Sequence, residues 1–190
     1  MSANSRIVLG VDPGTHTTGY GVITQDGTRL LCLKSGSIQC RSTQPLEQRL
    51  RTVYNQLISV IDETHPDVMA VEGIFYAKNV RSAVILAHAR GVVLLAATEK
   101  HLPVAEYAPA VVKQSTVGYG RAGKDQIAQM IARLFRLPPT SATRHDATDA
   151  LAVALCHLNT GKTADRIEEA LAREPGRRPS RRASNRWRSA

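Results

Sequence analysis

Four acidic residues stand where acids are costly: Asp12 closes the apolar run Arg6-Ile7-Val8-Leu9-Gly10-Val11, Glu72 closes Val68-Met69-Ala70-Val71, and Asp146 and Asp149 lie three apart in a helical pattern. A carboxylate beside a buried strand needs something to stabilise its charge, and a metal ion held by several such oxygens does so. Spacing of i, i+3 puts Asp146 and Asp149 on one helical face. Two oxygen donors from strands and two from a helix suit a pair of Mg²⁺ ions roughly 3.5–4 Å apart, the arrangement that clamps attacking and leaving oxygens in phosphoryl transfer.

Each acid also has a plain structural explanation. Asp12-Pro13-Gly14 has the composition of a tight turn, and Asp146 suits the first turn of a helix, where negative charge opposes the helix dipole. Glu72 has the weakest such excuse, because it ends a strand expected to be central and glutamate is rarely buried unpaired. Asp149 runs straight into Ala150-Leu151-Ala152-Val153-Ala154-Leu155, which leaves solvation a poor account of it.

The elements that must bring these acids together are legible as patterns. Ile7 to Val11, Thr18 to Thr24 and Arg29 to Ile38 read as an antiparallel meander turning at Asp26-Gly27. Helical periodicity follows from Pro45 to Thr64 through Leu46, Leu50, Val53, Leu57, Ile58 and Ile61, and Pro66-Asp67 ends it before the strand Val68 to Val71. A crossover helix between strands implies parallel pairing, and in such sheets ligands bind at the carboxyl edge, where Asp12 and Glu72 emerge. A helix from about Val80 to Glu99, a strand Val104 to Tyr107, and helices near Pro109 to Ser115, Lys124 to Phe135 and His145 to Leu158 complete an α/β sandwich with helices on both faces.

At 190 residues with 43% hydrophobic content, the chain can build one domain plus an appendage. Its formal net charge of +9 favours a polyanionic partner, with nucleic acid ahead of a membrane surface. Cys32, Cys40 and Cys156 are too irregularly spaced for a zinc site, and without a signal peptide they imply a reducing cytoplasm. The longest apolar stretch, Val84 to Ala97, is broken by His88 and Arg90 and is too short to span a bilayer, so no membrane role is expected. The expected domain is residues 1–160, followed by a basic, disordered tail over 161–190, whose last fourteen residues hold six arginines and no acid. Such a tail serves solubility or adds phosphate contacts. The Val80 to Glu99 helix is apolar on nearly every face, with Ala83, Ala87 and Gly91 recurring every four residues; burial within one domain would explain it, and so would a second subunit.

Taken together, Val11-Asp12-Pro13-Gly14 with Thr18-Gly19-Tyr20-Gly21-Val22, Val71-Glu72 with Phe75-Tyr76-Ala77-Lys78-Asn79, Val112-Lys113-Gln114 with Val117-Gly118-Tyr119-Gly120, and Asp146-Ala147-Thr148-Asp149 with Ala150-Leu151-Ala152 resemble the RuvC family of Holliday junction resolvases. The resemblance runs in unbroken order over about residues 6–158. It implies a ribonuclease H-like fold with a mixed five-stranded sheet, a homodimer, four-way junction DNA as substrate, RuvA and RuvB branch-migration partners, and two Mg²⁺ per subunit with Mn²⁺ able to substitute. Carried onto this sequence, it implies Asp12, Glu72, Asp146 and Asp149 as catalytic metal ligands and Lys113 and Lys124 as catalytic cations near the scissile phosphate. Phe75 matches an aromatic that stacks on an unpaired base, with Tyr76 and Lys78 touching the same strand. Some family members carry His in place of the first helical acid; here Asp146 fills that position beside His145. The arginine tail lies outside the shared motifs.

Two other functions compete. Gly10-Val11-Asp12-Pro13-Gly14-Thr15 with Thr18-Gly19-Tyr20-Gly21 is also similar to the phosphate-binding hairpin of sugar kinases and actin-like ATPases, but those need a second lobe and a second phosphate loop that this length does not supply. A nonenzymatic nucleic-acid binder would explain the charge and leave the acids unexplained, since carboxylates oppose phosphate unless a metal intervenes.

Overall fold

Five strands alternate residues between two apolar layers, and that alternation decides which side chains reach the site. The computed structural model describes residues 6–73, 80–138 and 145–173. The strands are β1 (Val8–Asp12), β2 (Thr17–Asp26), β3 (Arg29–Gln39), β4 (Val68–Glu72) and β5 (Val104–Tyr107), with helices α1 (Leu46–Thr64), α2 (Val80–Glu99), α3 (Pro109–Val117), α4 (Lys124–Leu134) and α5 (His145–Arg173). They form one sheet in the order β3-β2-β1-β4-β5. The first three strands pair antiparallel, whereas β4 and β5 run parallel to β1 and to each other. This is the meander-then-crossover order expected from the sequence.

On one face Val8, Ile23, Val68 and Ala70 pack against Val112 of α3, Ile127 and Ile131 of α4, and Leu151 and Leu155 of α5. On the other, Leu9, Val11, Val22, Met69 and Val71 pack against Val53, Leu57 and Ile61 of α1 and Val93 of α2. Each large side chain fully withdrawn from water contributes about 1.5–3 kcal/mol. β1 therefore has core on both sides, which is why its sequence reads as a nearly unbroken apolar run.

Local sequence sets the ends. The hairpin β2–β3 turns at Gly27 with φ 59°, a conformation that glycine adopts without steric penalty. α1 closes at His65, whose backbone N–H donates to the Ile61 carbonyl at 2.9 Å, and Pro66 bars continuation. α5 does not stop at Leu158, where the apolar pattern fades; it continues to Arg173. Residues 162–173 are mostly good helix formers and hold no proline, and Gly161 alone does not break the helix. By internal packing the chain divides into Met1–Asn159 and Thr160–Ala190.

α2 is not the fully buried helix that its composition allows. Ala89, Val93, Ala96 and Ala97 face the core, while Val80, Val84 and Leu95 are exposed, at 80%, 51% and 55%. At 20 residues it has the length and composition to cross a bilayer, more than the Val84–Ala97 stretch suggested. One of its charged residues has a use in the fold, however: Arg90 forms an ion pair with Glu106 of β5 and donates through Nη1 to the Glu72 carbonyl at 3.4 Å.

Candidate active site

Register alone places two of the acids side by side. Val11 of β1 pairs with Val71 of β4 in parallel, so the next residues, Asp12 and Glu72, leave the carboxyl edge as neighbours. Both fall on the α5 face, two residues beyond Gly10 and Ala70 respectively. The loop after Asp12 is fixed by Thr18, whose buried hydroxyl donates to the Gly14 carbonyl at 2.6 Å and accepts the Gly14 N–H at 3.2 Å. The turn chemistry of Asp12-Pro13-Gly14 is thus real, and it serves to hold the acid rather than replacing its function.

Glycine brings α5 to these strands. A methyl group at Gly10 would run into the Ala150 carbonyl, and one at Gly19 into the Asp146 carbonyl; at Gly21 it would meet Leu151 at 2.7 Å. Only bare backbone lets the helix lie this close. The contact carries Asp149 to the strand acids, and it is a positioning feature that the sequence reading overlooked. Its signal was present in three glycines on the same face of two adjacent strands.

The electrostatics describe a cluster short of positive charge. Burial pushes the Asp12 carboxyl up to about 8 from 3.8, aided by repulsion from Glu72 and Asp149 and by a hydrogen bond to Glu72, with Lys124 opposing. Glu72 is raised chiefly by burial and then by Asp149, while its hydrogen bond with Asp12 and the charges of Lys124 and Lys113 pull it down. The two carboxylates are coupled and titrate as a pair, with burial and mutual repulsion opposing full ionisation. Burial also raises Asp149, against Lys124 and His145; Asp146 adds repulsion. Lys124, at the start of α4, places Nζ 3.5 Å from Asp149 Oδ2 and remains 72% exposed.

The structure thus gathers Asp12, Glu72 and Asp149 with Lys124, and brings the charge of Lys113 from α3 to bear on Glu72. Asp146 acts most directly on Asp149. His145 leans toward Asp125, Nε2 to Oδ1 3.9 Å, while its Nδ1 is buried without a partner. Phe75, Tyr76 and Lys78 lie outside the described residues.

Among the described residues no three acid, histidine or cysteine side chains already converge as ligands of one ion. The acids are neighbours whose ionisation is opposed by burial and mutual repulsion, and the exposed Lys124 ammonium supplies part of the charge a cation would bring. In chemistry they fit a hard divalent ion: the donors are carboxylate oxygens, with no thiolate or imidazole among the three that gather.

A family model described as crossover junction endodeoxyribonuclease RuvC matches residues 8–157. The chain belongs to the RuvC family. It is 52% identical over 152 residues to the crossover junction endodeoxyribonuclease RuvC of Syntrophotalea carbinolica, covering 80% of this chain and 93% of that protein. The RuvC of Trichlorobacter lovleyi is 42% identical over 182 residues, with 96% of this chain and 97% of that one covered. Among solved structures, T. thermophilus RuvC in complex with Holliday junction substrate superposes with a TM-score of 0.75 at 29% identity, covering 84% of this chain and 96% of that one. The yeast mitochondrial Holliday junction resolvase Ydc2, 13% identical, covers 87% and 85% of the two chains with a TM-score of 0.61 and shares the fold. The fold is accordingly ribonuclease H-like, and the acid edge lies within the segment that defines RuvC nucleases.

Proposed function

We propose that this chain resolves Holliday junctions in homologous recombination and DNA repair, cutting two symmetric strands with paired, Mg²⁺-dependent nicks. The observation that carries the reading is the meeting of Asp12, Glu72 and Asp149 beside Lys124 at the carboxyl edge of a RuvC-family sheet. Asp12, Glu72, Asp146 and Asp149 would hold two Mg²⁺ ions per subunit, with Mn²⁺ able to substitute. When bound, the ions supply Lewis acidity that makes a water nucleophilic and stabilises the departing 3′ oxygen.

The protein's own groups have separable roles. Glu72 and Asp12, both raised above the ordinary carboxylate range, must ionise for the site to load, so loading improves as pH rises. Lys124 screens Asp149 from the incoming phosphate and, with Lys113, opposes the negative charge that builds on phosphorus. Phe75 receives an unstacked base, and Tyr76 and Lys78 contact the same strand. Residues 1–160 form the nuclease domain, and the basic 161–190 segment adds nonspecific phosphate contacts.

Paired nicking calls for two sites related by symmetry. The outer face of α2, where Val80, Val84 and Leu95 are exposed and a Cβ at Gly91 would meet nothing within 4 Å, supports a homodimer seam. RuvA and RuvB are the proposed branch-migration partners and the cytoplasm the proposed compartment. The direct test incubates the pure protein with synthetic four-way junctions, forks and linear duplex, with and without Mg²⁺. Symmetric paired nicks confined to the junction and dependent on Mg²⁺ are expected; nicking of duplex alone, or ATP hydrolysis in its place, overturns the proposal.

A further inference from the structure

A second cationic cradle stands at the same edge of the sheet, on the α1 side. β2 runs past Gly19, the partner of Asp12, back to Thr17. At about 3.4 Å per residue, His16 therefore stands roughly 10 Å from Gly19 along the strand. Arg49, on the first turn of α1, brings Nη1 to 3.4 Å from His16 Nδ1 and 3.3 Å from Nε2. Near-equal distances to both ring nitrogens mean that the guanidinium is not aimed along either one, so neither nitrogen is committed. Arg49 Nε is buried and has no hydrogen-bond partner. Among the described residues no carboxylate forms an ion pair with either side chain.

The cradle is built from three elements. Cys40, just beyond β3, donates its backbone N–H to the His16 carbonyl at 2.8 Å and its thiol to the Arg49 carbonyl at 3.5 Å, tying the β1–β2 loop to α1. Arg41 follows, exposed. A guanidinium with a donor unspent, set against an imidazole and ion-paired with no described carboxylate, has the chemistry to hold an anion. Nε and an Nη share one edge of the guanidinium, and a tetrahedral anion reaching that edge can accept from both together.

We infer that His16 and Arg49 grip a backbone phosphate of the junction strand beside the one that is cut. This rests on the junction-cleaving function proposed above and adds the element that fixes the strand's register over the acids. Gripping a phosphate, the pair should position DNA without reading sequence.

The test uses the full chain with Ca²⁺ replacing Mg²⁺ to keep substrate intact, and compares wild type with Arg49→Ala and Arg49→Lys. Log affinity for a four-way junction is followed against log salt, and a single neutral methylphosphonate is walked along the cut strand. Arg49→Ala should flatten the salt slope by about 0.9, the equivalent of one phosphate contact. One methylphosphonate position should weaken wild type and leave Arg49→Ala unaffected, while Arg49→Lys keeps the slope and binds more weakly. If thermal melts show Arg49→Ala unfolded, His16→Ala is put through the same scan. An unchanged slope, or the absence of any position at which the variant's sensitivity disappears, overturns the inference. Wild type that neither binds nor nicks junctions would instead refute the functional proposal, so the two failures are distinguishable.

Discussion

Replacing Asp12 with Asn should stabilise the metal-free protein, and only where pH makes the native acid a burden. The folded carboxyl holds its proton up to about 8, whereas in the unfolded chain it lets go near 3.8. Between those values the native state binds a proton that the unfolded state has released, so stability falls as pH rises, by about 1.4 kcal/mol per pH unit. Across the whole window the ceiling is about 5–6 kcal/mol. Water reaching an edge that is only partly closed reduces this to a working figure of about 3 kcal/mol.

Asn is informative because its amide can donate to Glu72 as the protonated Asp12 does, keeping the hydrogen bond without the titration. In EDTA at pH 8.5 the variant should melt about 6–12 °C above wild type, at 2–4 °C per kcal/mol for a chain of this size. At pH 5, near the lower end of the window, that gap should shrink to about a third or less. Mg²⁺ at pH 8.5 should raise the wild-type melting temperature more than the variant's, because it binds the folded acid site. The variant should still bind junctions but not nick them. A stabilisation equal at the two pH values, or a loss at pH 8.5, would refute the claim that burial and repulsion at Asp12 hold a strained charge.

Gly19→Ala sets a methyl against the Asp146 carbonyl; overpacking should cost about 1–3 kcal/mol in chemical denaturation, and displacement of α5 should slow single-turnover nicking beyond what that loss explains. A destabilised variant with the full nicking rate would show that the glycine contact does not set the acid spacing. Lys113→Ala and Lys124→Ala should each slow nicking by roughly 10²-fold while junction affinity changes little; a loss of rate merely proportional to the loss of binding would make either lysine part of a solvated basic face instead. Deleting residues 177–190 should flatten the salt dependence of junction binding without altering where the strands are cut, which a salt titration and a cleavage-site map together decide.

Much of the fold was legible because its signals are local. The apolar run ending in Asp12, the crossover periodicity of α1 and the limits Val80–Glu99 of α2 all appear in the structure as strand, helix and helix. What was illegible depends on partners distant in sequence. Gly10 and Gly19 look like weak strand residues until α5, more than a hundred residues later, supplies the Ala150 and Asp146 carbonyls that exclude a side chain. Arg90 looked like an interruption of an apolar helix, and only the β4–β5 pairing shows it bound to Glu106 and to the Glu72 carbonyl. The continuation of α5 to Arg173 was hidden for a different reason: apolar periodicity reports a packed face, and a helix can outlast it.

The treatment of acids elsewhere in this fold makes the edge cluster unusual. Glu63 has Lys34, Asp62 has Lys100 and Glu106 has Arg90, each a direct ion pair. At the carboxyl edge Asp12, Glu72 and Asp149 are more enclosed than these, yet among the described residues their one direct ion pair is that of Asp149 with the exposed Lys124, so the more costly charges are relieved less. Selection for stability alone would favour the reverse, since an uncompensated buried acid is easily improved by a neutral residue. The deficit has a chemical use. Carboxylates without counter-charge repel phosphate and attract cations, so phosphate and cation should each favour the other's binding, and a site left short of positive charge engages DNA productively only when the metal its chemistry requires is present.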